Sequence, residues 1–167
     1  LGGSLAHADP AACYPAAVLG LGATVQTDRR QIAADAFFTG VYETALQPGE
    51  LITEVSFPLP ARAAYLKFKQ PASRFAVVGV FVSQGPQGVR VAVTGAGPRV
   101  FRATAFEAAL AKDWSARAVE GLAWPADPST PAEFLQICRQ QLGRYETVEF
   151  RKGTVRAAER GDHPRRR

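Results

Sequence analysis

The sequence predicts an α+β fold: a short glycine-led α/β segment, then an antiparallel β-meander sheet covered by helices on one face. Two patterns carry this expectation. From Gly49 to Val93 apolar residues recur with a period of two, in four runs joined by short connections, as neighbouring antiparallel strands do. Beyond Pro98 the pattern turns Ala-rich and helical. With 47% apolar and 21% charged residues over a length of 167, the composition is that of a folded chain with one full core and a minor unit.

Leu1 to about Gly40 reads as a glycine turn, a short helix and a short strand. Asp9 followed by Pro10 is a helix-start pair, with Asp capping and Pro in the first turn. The helix is expected from about Pro10 to Leu19, ending at Gly20 and Gly22. Ala23 to Thr27 follows as a strand, and Asp28-Arg29-Arg30 as a turn. In the next strand Leu51, Thr53, Val55 and Phe57 are expected on one face, ended by Pro58 and Pro60. Leu66 and Phe68 then alternate with Tyr65, Lys67 and Lys69. Ala76 to Val82 reads as a buried central strand, which Gly85-Pro86-Gln87-Gly88 turns into Val89, Val91 and Val93. Helices are expected at Ala103–Lys112, Ser115–Gly121 and Pro131–Leu142, with the opposite sheet face left free. The units this implies are 1–45, 46–143 and a basic tail, 144–167.

The longest apolar stretches, such as Phe75 to Val82, fall far short of the roughly 20 residues a membrane helix needs. Nothing at the start resembles a secretory signal, and Leu1 is no initiator, so the chain reads as a fragment. Cys13 and Cys138 are lone thiols without metal-ligand spacing; they fit a reducing compartment, and a cytoplasmic location is expected. Of the formal charge of +5, the segment from Arg144 onward supplies +4, leaving a nearly neutral body. A solvated, frayed terminus accounts for that charge, and no nucleic-acid partner is expected.

Only His7 and His163 are present, too few and too scattered for a Ser-His-Asp or Cys-His constellation. A zinc or iron-sulfur site cannot be assembled from two Cys and two His so placed. The distinctive segment runs from Leu1 to Ala12. Gly2 and Gly3 let backbone N–H groups approach an anion, Ser4 adds a hydroxyl, and a helix start follows; these are the parts of a diphosphate cradle. By itself Gly-Gly-Ser is more often a tight turn and Asp9 a cap, and spacing alone does not choose between the readings.

The wider string resembles the second flavin-binding loop of the medium subunit of molybdenum hydroxylases, the xanthine dehydrogenase and aerobic carbon monoxide dehydrogenase group. Gly2, Gly3, Ser4, His7, Asp9 and Pro10 match that loop. The resemblance continues through Phe37 to Ile52, through Tyr65-Leu66-Lys67-Phe68-Lys69-Gln70, through Ser73 to Ala76, and through Val91 to Pro98. It implies that the first unit is the remnant of an FAD-binding, PCMH-type α/β subdomain and that the second is a carbon monoxide dehydrogenase flavoprotein C-terminal-like domain. It further implies FAD as cofactor, with Gly2, Gly3 and Ser4 at the diphosphate and His7 and Asp9 beside the ribityl chain or flavin. Leu51 and Ile52 would lean against the isoalloxazine ring, and Lys69 would reach the flavin edge; read without the resemblance, Lys69 is equally a strand-edge lysine facing water.

By the same resemblance the partners are a molybdenum-cofactor large subunit and a 2Fe-2S small subunit, and the chain relays electrons without a catalytic residue of its own. Two departures stand out: Cys13 occupies a position where the family usually carries a cofactor-contacting aspartate, and the family's preceding subdomain, with another glycine-rich loop, is not in this sequence. The end from about Arg144 also loses the family pattern. The rival readings are a docking fragment that has lost FAD binding, and a self-contained FAD reductase of cell-wall precursors.

Overall fold

A computed structural model describes residues 1–123 of the chain. The first part holds α1 (Gly2–His7), α2 (Tyr14–Leu21), β1 (Thr24–Thr27), β2 (Gln31–Ala33), α3 (Ala34–Phe37), β3 (Phe38–Gly40), β4 (Glu43–Thr44) and β5 (Ile52–Ser56). After the proline-bounded crossover come β6 (Arg62–Lys69), β7 (Ala76–Gly85), β8 (Gly88–Thr94), β9 (Phe101–Arg102) and α4 (Thr104–Lys112), then a 3₁₀ turn at Ala116–Val119. The helix expected at Pro131–Leu142, and the tail, lie outside the described residues.

Three antiparallel sheets result, ordered β2-β1-β5, β3-β4 and β6-β7-β8-β9. The meander is there, but its membership differs from the expectation: β5 pairs with β1, Val25 opposite Val55, and β9 is the fourth strand of the larger sheet. Period-two patterning marks a strand without saying which neighbour it takes, so β5 was indistinguishable from a meander strand. Its side-chain faces also differ. A register shift opposite Gln26/Thr27 inserts one residue, so that Ile52 and Val55 turn inward while Leu51, Thr53 and Phe57 stay exposed.

The larger sheet is covered on both sides. On one face Val78, Val80, Val91 and Val93 pack with Ala103 and Phe106 of the α4 region, as expected. The other face, expected to be free, carries Phe81, Ala92 and the partly buried Tyr65, and α2 lies against it with Val18 and Leu19. At the contact a side chain on Gly20 would run into the Phe81 ring, so the helix approaches the sheet at its backbone. Leu5, Val18, Val25 and Phe37 are fully buried in this shared core. Each stabilises the fold by roughly 1.5–3 kcal/mol through lost apolar exposure.

The end of α2 is closed by the β7–β8 hairpin. Ser83 Oγ donates to the Gly20 carbonyl at 2.6 Å, Arg90 Nε and Nη2 donate to the Leu19 carbonyl at 3.0 and 2.9 Å, and Gln87 Nε2 donates to the Gly22 carbonyl at 3.3 Å. These satisfy the Gly20 and Gly22 carbonyls, which the helix C-terminus leaves without partners, and add to the Gly22 N–H that the Leu19 carbonyl already accepts at 3.1 Å. Arg90 also reaches Asp35 on α3 at 2.8 Å, and Arg102 links Asp35 at 3.2 Å to Glu107 on α4 at 2.6 Å. One polar chain thus runs from α2 to α4 across the sheet.

Candidate functional site

The opening glycines are not a turn: Gly2, Gly3 and Ser4 form the first turn of α1, whose first internal bond is from Leu5 N–H to the Leu1 carbonyl at 3.1 Å. The N–H groups ahead of that bond have no helical acceptor. Asp9 does cap, although not a helix: its Oδ1 accepts the Ala11 N–H at 2.8 Å in a tight turn, and α2 begins only at Tyr14, with Pro15 in its first turn. That turn docks on the meander, where Gly95 N–H donates to the Pro10 carbonyl at 2.8 Å and Ala76 N–H to the Ala11 carbonyl at 3.3 Å.

Ile52 comes to α1. A Cβ on Gly2 would lie 3.9 Å from the Ile52 Cβ, an ordinary contact, whereas one on Gly3 would project into open space. His7, at the end of α1, packs against Tyr42 with ring centroids 4.9 Å apart and the rings tilted by 44°. Around this cluster Leu1, Val41 and Tyr42 are more than half exposed, and Leu51, next to Ile52, is 67% exposed. A group of large apolar side chains so open to water marks a binding surface more often than a bare exterior.

Lys69 sits apart from these residues in the strand register. It lies opposite Ala76 at the end of β6, on the side where Ala76 meets the Asp9–Ala11 turn, and among the described residues it forms no ion pair. Gly2, Gly3, Ser4 and His7 therefore share α1, which meets Ile52 through Gly2, whereas Asp9 and Lys69 flank the loop at its meander end.

Two further groups escaped the sequence reading. The first surrounds Glu50, whose side chain is fully buried although its loop is exposed. Its carboxylate accepts from Thr27 Oγ1 at 2.8 Å, Arg30 Nε at 2.9 Å, Arg30 Nη2 at 3.1 Å and the Gln47 N–H at 2.7 Å. Arg30 first, then the Gln47 amide, hold the carboxyl down to about 2, and the same pair raises the Arg30 guanidinium above its ordinary value. On the other side of the loop, Asp28 Oδ1 accepts the Leu51 N–H at 2.9 Å while Asp28 N–H donates to the Leu51 carbonyl at 3.0 Å.

The second group is Cys13, Tyr65 and Lys67. Lys67 Nζ lies 3.1 Å from Cys13 Sγ. The Tyr65 hydroxyl is buried beside Cys13 and Thr94 without a well-formed hydrogen bond, and burial above all pushes its phenol up. Where the family resemblance places a carboxylate, this chain has a thiol under a lysine ammonium. Neither group carried a local signal: Glu50 and Lys67 look like ordinary surface charges until the fold brings Thr27 and Cys13 to them.

The residues present suit a bound dinucleotide. Unbonded amides and open space over Gly3 give an anion access to the backbone, and exposed Leu51 and Tyr42 offer apolar cover to a planar ring. Residues 1–60 match the family model described as the FAD binding domain in molybdopterin dehydrogenase. The chain is 32% identical to the nicotine 6-hydroxylase medium subunit of Paenarthrobacter nicotinovorans, over 89% of this chain and 59% of that protein. It is 31% identical to the carbon monoxide dehydrogenase medium chain of Hydrogenophaga pseudoflava, over 61% of this chain and 40% of that one.

Among solved structures, carbon monoxide dehydrogenase from the same organism, lacking the Mo-pyranopterin moiety, superposes with a TM-score of 0.66 at 28% identity, covering 86% of this chain and 57% of that one. Quinoline 2-oxidoreductase from Pseudomonas putida 86 gives 0.67 at 27% identity, with the same coverage of both chains. The chain spans less than two thirds of the length of these relatives. Residues 1–60 thus belong to the family of FAD binding domains in molybdopterin dehydrogenases, and in sequence and fold alike the chain matches the medium subunits of molybdenum hydroxylases.

Proposed function

We propose that the chain carries FAD for a molybdenum hydroxylase, receiving electrons from a 2Fe-2S small subunit and passing them to an external acceptor, while a molybdenum-cofactor large subunit performs the hydroxylation. The observation that carries this is the approach of Gly2 to Ile52 beside the exposed Leu51, with open space over Gly3, which sets an anion-accessible amide pair next to an apolar surface. FAD, when bound, supplies the redox chemistry that lets electron pairs and single electrons be exchanged. The chain's own part is to bind and orient it. Gly2, Gly3 and Ser4 would hold the diphosphate, His7 and Asp9 would flank the ribityl chain, and Leu51 and Ile52 would cover the ring. Lys69, which forms no ion pair among the described residues, would offset negative charge on the cofactor. The lone thiols and the subunit partners fit a cytoplasmic assembly.

Gly3→Ala tests the cradle. Its methyl would enter open space in the protein, and alanine is the better helix former by about 0.8–1 kcal/mol, so the fold should hold or gain stability. FAD affinity, read by quenching of flavin fluorescence, should fall at least tenfold. Unchanged affinity in Gly3→Ala would remove the diphosphate from this loop. A wild-type chain that leaves FAD fluorescence untouched would favour the docking-fragment reading.

A further inference from the structure

We infer that Glu50 is a positioning residue for the flavin ring: tied to Thr27, Arg30 and the Gln47 amide, it fixes the Leu51–Ile52 peptide as a rigid apolar shelf beside the Gly2-Gly3 backbone. This rests on the FAD reading above and goes beyond it, because Glu50 itself touches no cofactor.

Burying a carboxylate is unfavourable unless every oxygen is partnered, and here both are, by four donors. That arrangement orders a loop that packs on the core only at its flanks, through Ala45, Leu46 and Ile52. Gln47, Pro48 and Gly49 are exposed, and Leu51 keeps two thirds of its surface in water. Ordering exposed residues costs conformational entropy that apolar burial normally offsets, and little burial follows here. The clamp is nevertheless complete on both sides of Leu51. Asp28 holds its N–H and its carbonyl, Glu50 N–H donates to the Gln47 carbonyl at 2.9 Å, and Arg30 Nη2 continues to the Ala45 carbonyl at 2.5 Å. Ile52, the next residue, is the one that meets Gly2. A shelf held in advance at a fixed offset from the amide pair spares a planar ligand the entropy of ordering the loop on binding.

The test uses the whole chain with FAD as the probe. Affinity is read by fluorescence quenching, and ring immobilisation by visible circular dichroism of the flavin band at saturating FAD. Glu50→Gln keeps the shape and removes the charge. It should weaken FAD at least tenfold and, at saturation, lose most of the induced dichroism. Asp28→Ala releases the other arm of the clamp and should show the same pair of losses; it decides the matter if Glu50→Gln fails to fold. Leu51→Ala should reproduce the dichroism loss. Wild-type dichroism at saturation in Glu50→Gln or Asp28→Ala, whatever the affinity, would overturn the positioning role, since a merely weakened fold binds less without changing the bound ring's environment. A wild-type chain that binds no FAD overturns the cofactor reading and this inference with it, whereas failure of the inference alone leaves wild-type binding intact.

Discussion

Arg90→Met separates two roles that a buried arginine can play. In the structure Arg90, 6% exposed along its side chain, gives two N–H groups to the Leu19 carbonyl and its outer nitrogen to Asp35. Methionine retains most of the apolar stem but removes both guanidinium donors from the Leu19 carbonyl, which keeps only the Gly22 N–H at 3.1 Å. Loss of hydrogen bonds from a charged donor costs about 1.5–3 kcal/mol, and because the carbonyl keeps the Gly22 N–H no further penalty for an unpaired acceptor is added, which points to about 2 kcal/mol in all. Asp35→Asn removes the other half of the contact. Asp35 is 46% exposed and also faces Arg102, so that ion pair is solvent-screened and its loss should cost under about 1 kcal/mol. Urea unfolding followed by far-ultraviolet circular dichroism measures both. With an m-value of about 2 kcal/mol/M, Arg90→Met should lower the midpoint by about 1 M and Asp35→Asn by under about 0.5 M. Equal losses in the two variants would refute the reasoning, because they would place the stabilisation in the ion pair and not in closing the helix.

Ser83→Ala strips the 2.6 Å bond to the Gly20 carbonyl and should lower stability by about 1–2 kcal/mol in the same assay. Gly20→Ala forces a methyl against the Phe81 ring, with an expected loss of about 1–3 kcal/mol and a lowered melting temperature. Acid should weaken the fold through Glu50, whose carboxyl ordinarily titrates at 4.5 and is held at about 2 here. Folding favours its ionised form, so its stabilisation is complete above 4.5 and is lost as pH falls from there toward 2. Melting temperatures recorded across that window should decline less steeply in Glu50→Gln than in the wild type.

The strands of the meander were legible because a half-buried strand writes its burial into alternate residues, and Tyr65 to Phe68, Ala76 to Val82 and Val89 to Val93 do so. Partner choice was not. β5 carries the same alternation as a meander strand, and only the position of β1 and the inserted residue near Thr53 decide that Ile52 faces inward. The short strands β2, β3, β4 and β9 are two or three residues each, too short to show any period. Asp9-Pro10 was read as a helix start since Asp and Pro favour the same backbone in a cap and in a tight turn; docking against Gly95 and Ala76 selected the turn. The cradle residues stood out as glycines in a row, while Glu50 depends on Thr27 and Arg30, more than twenty positions away for Thr27, and no local pattern reports such a meeting.

The stopper of α2 comes from residues that follow it by more than sixty positions, at Ser83, Gln87 and Arg90. As the chain leaves the ribosome, Gly22 and Ala23 can close the Leu19 and Val18 carbonyls at once, but those of Gly20 and Gly22 stay wetted by solvent until the β7–β8 hairpin has emerged. Settling of the opening glycine segment is thereby tied to completion of the meander, and a nascent chain halted before Arg90 would present that segment without a settled platform beneath it.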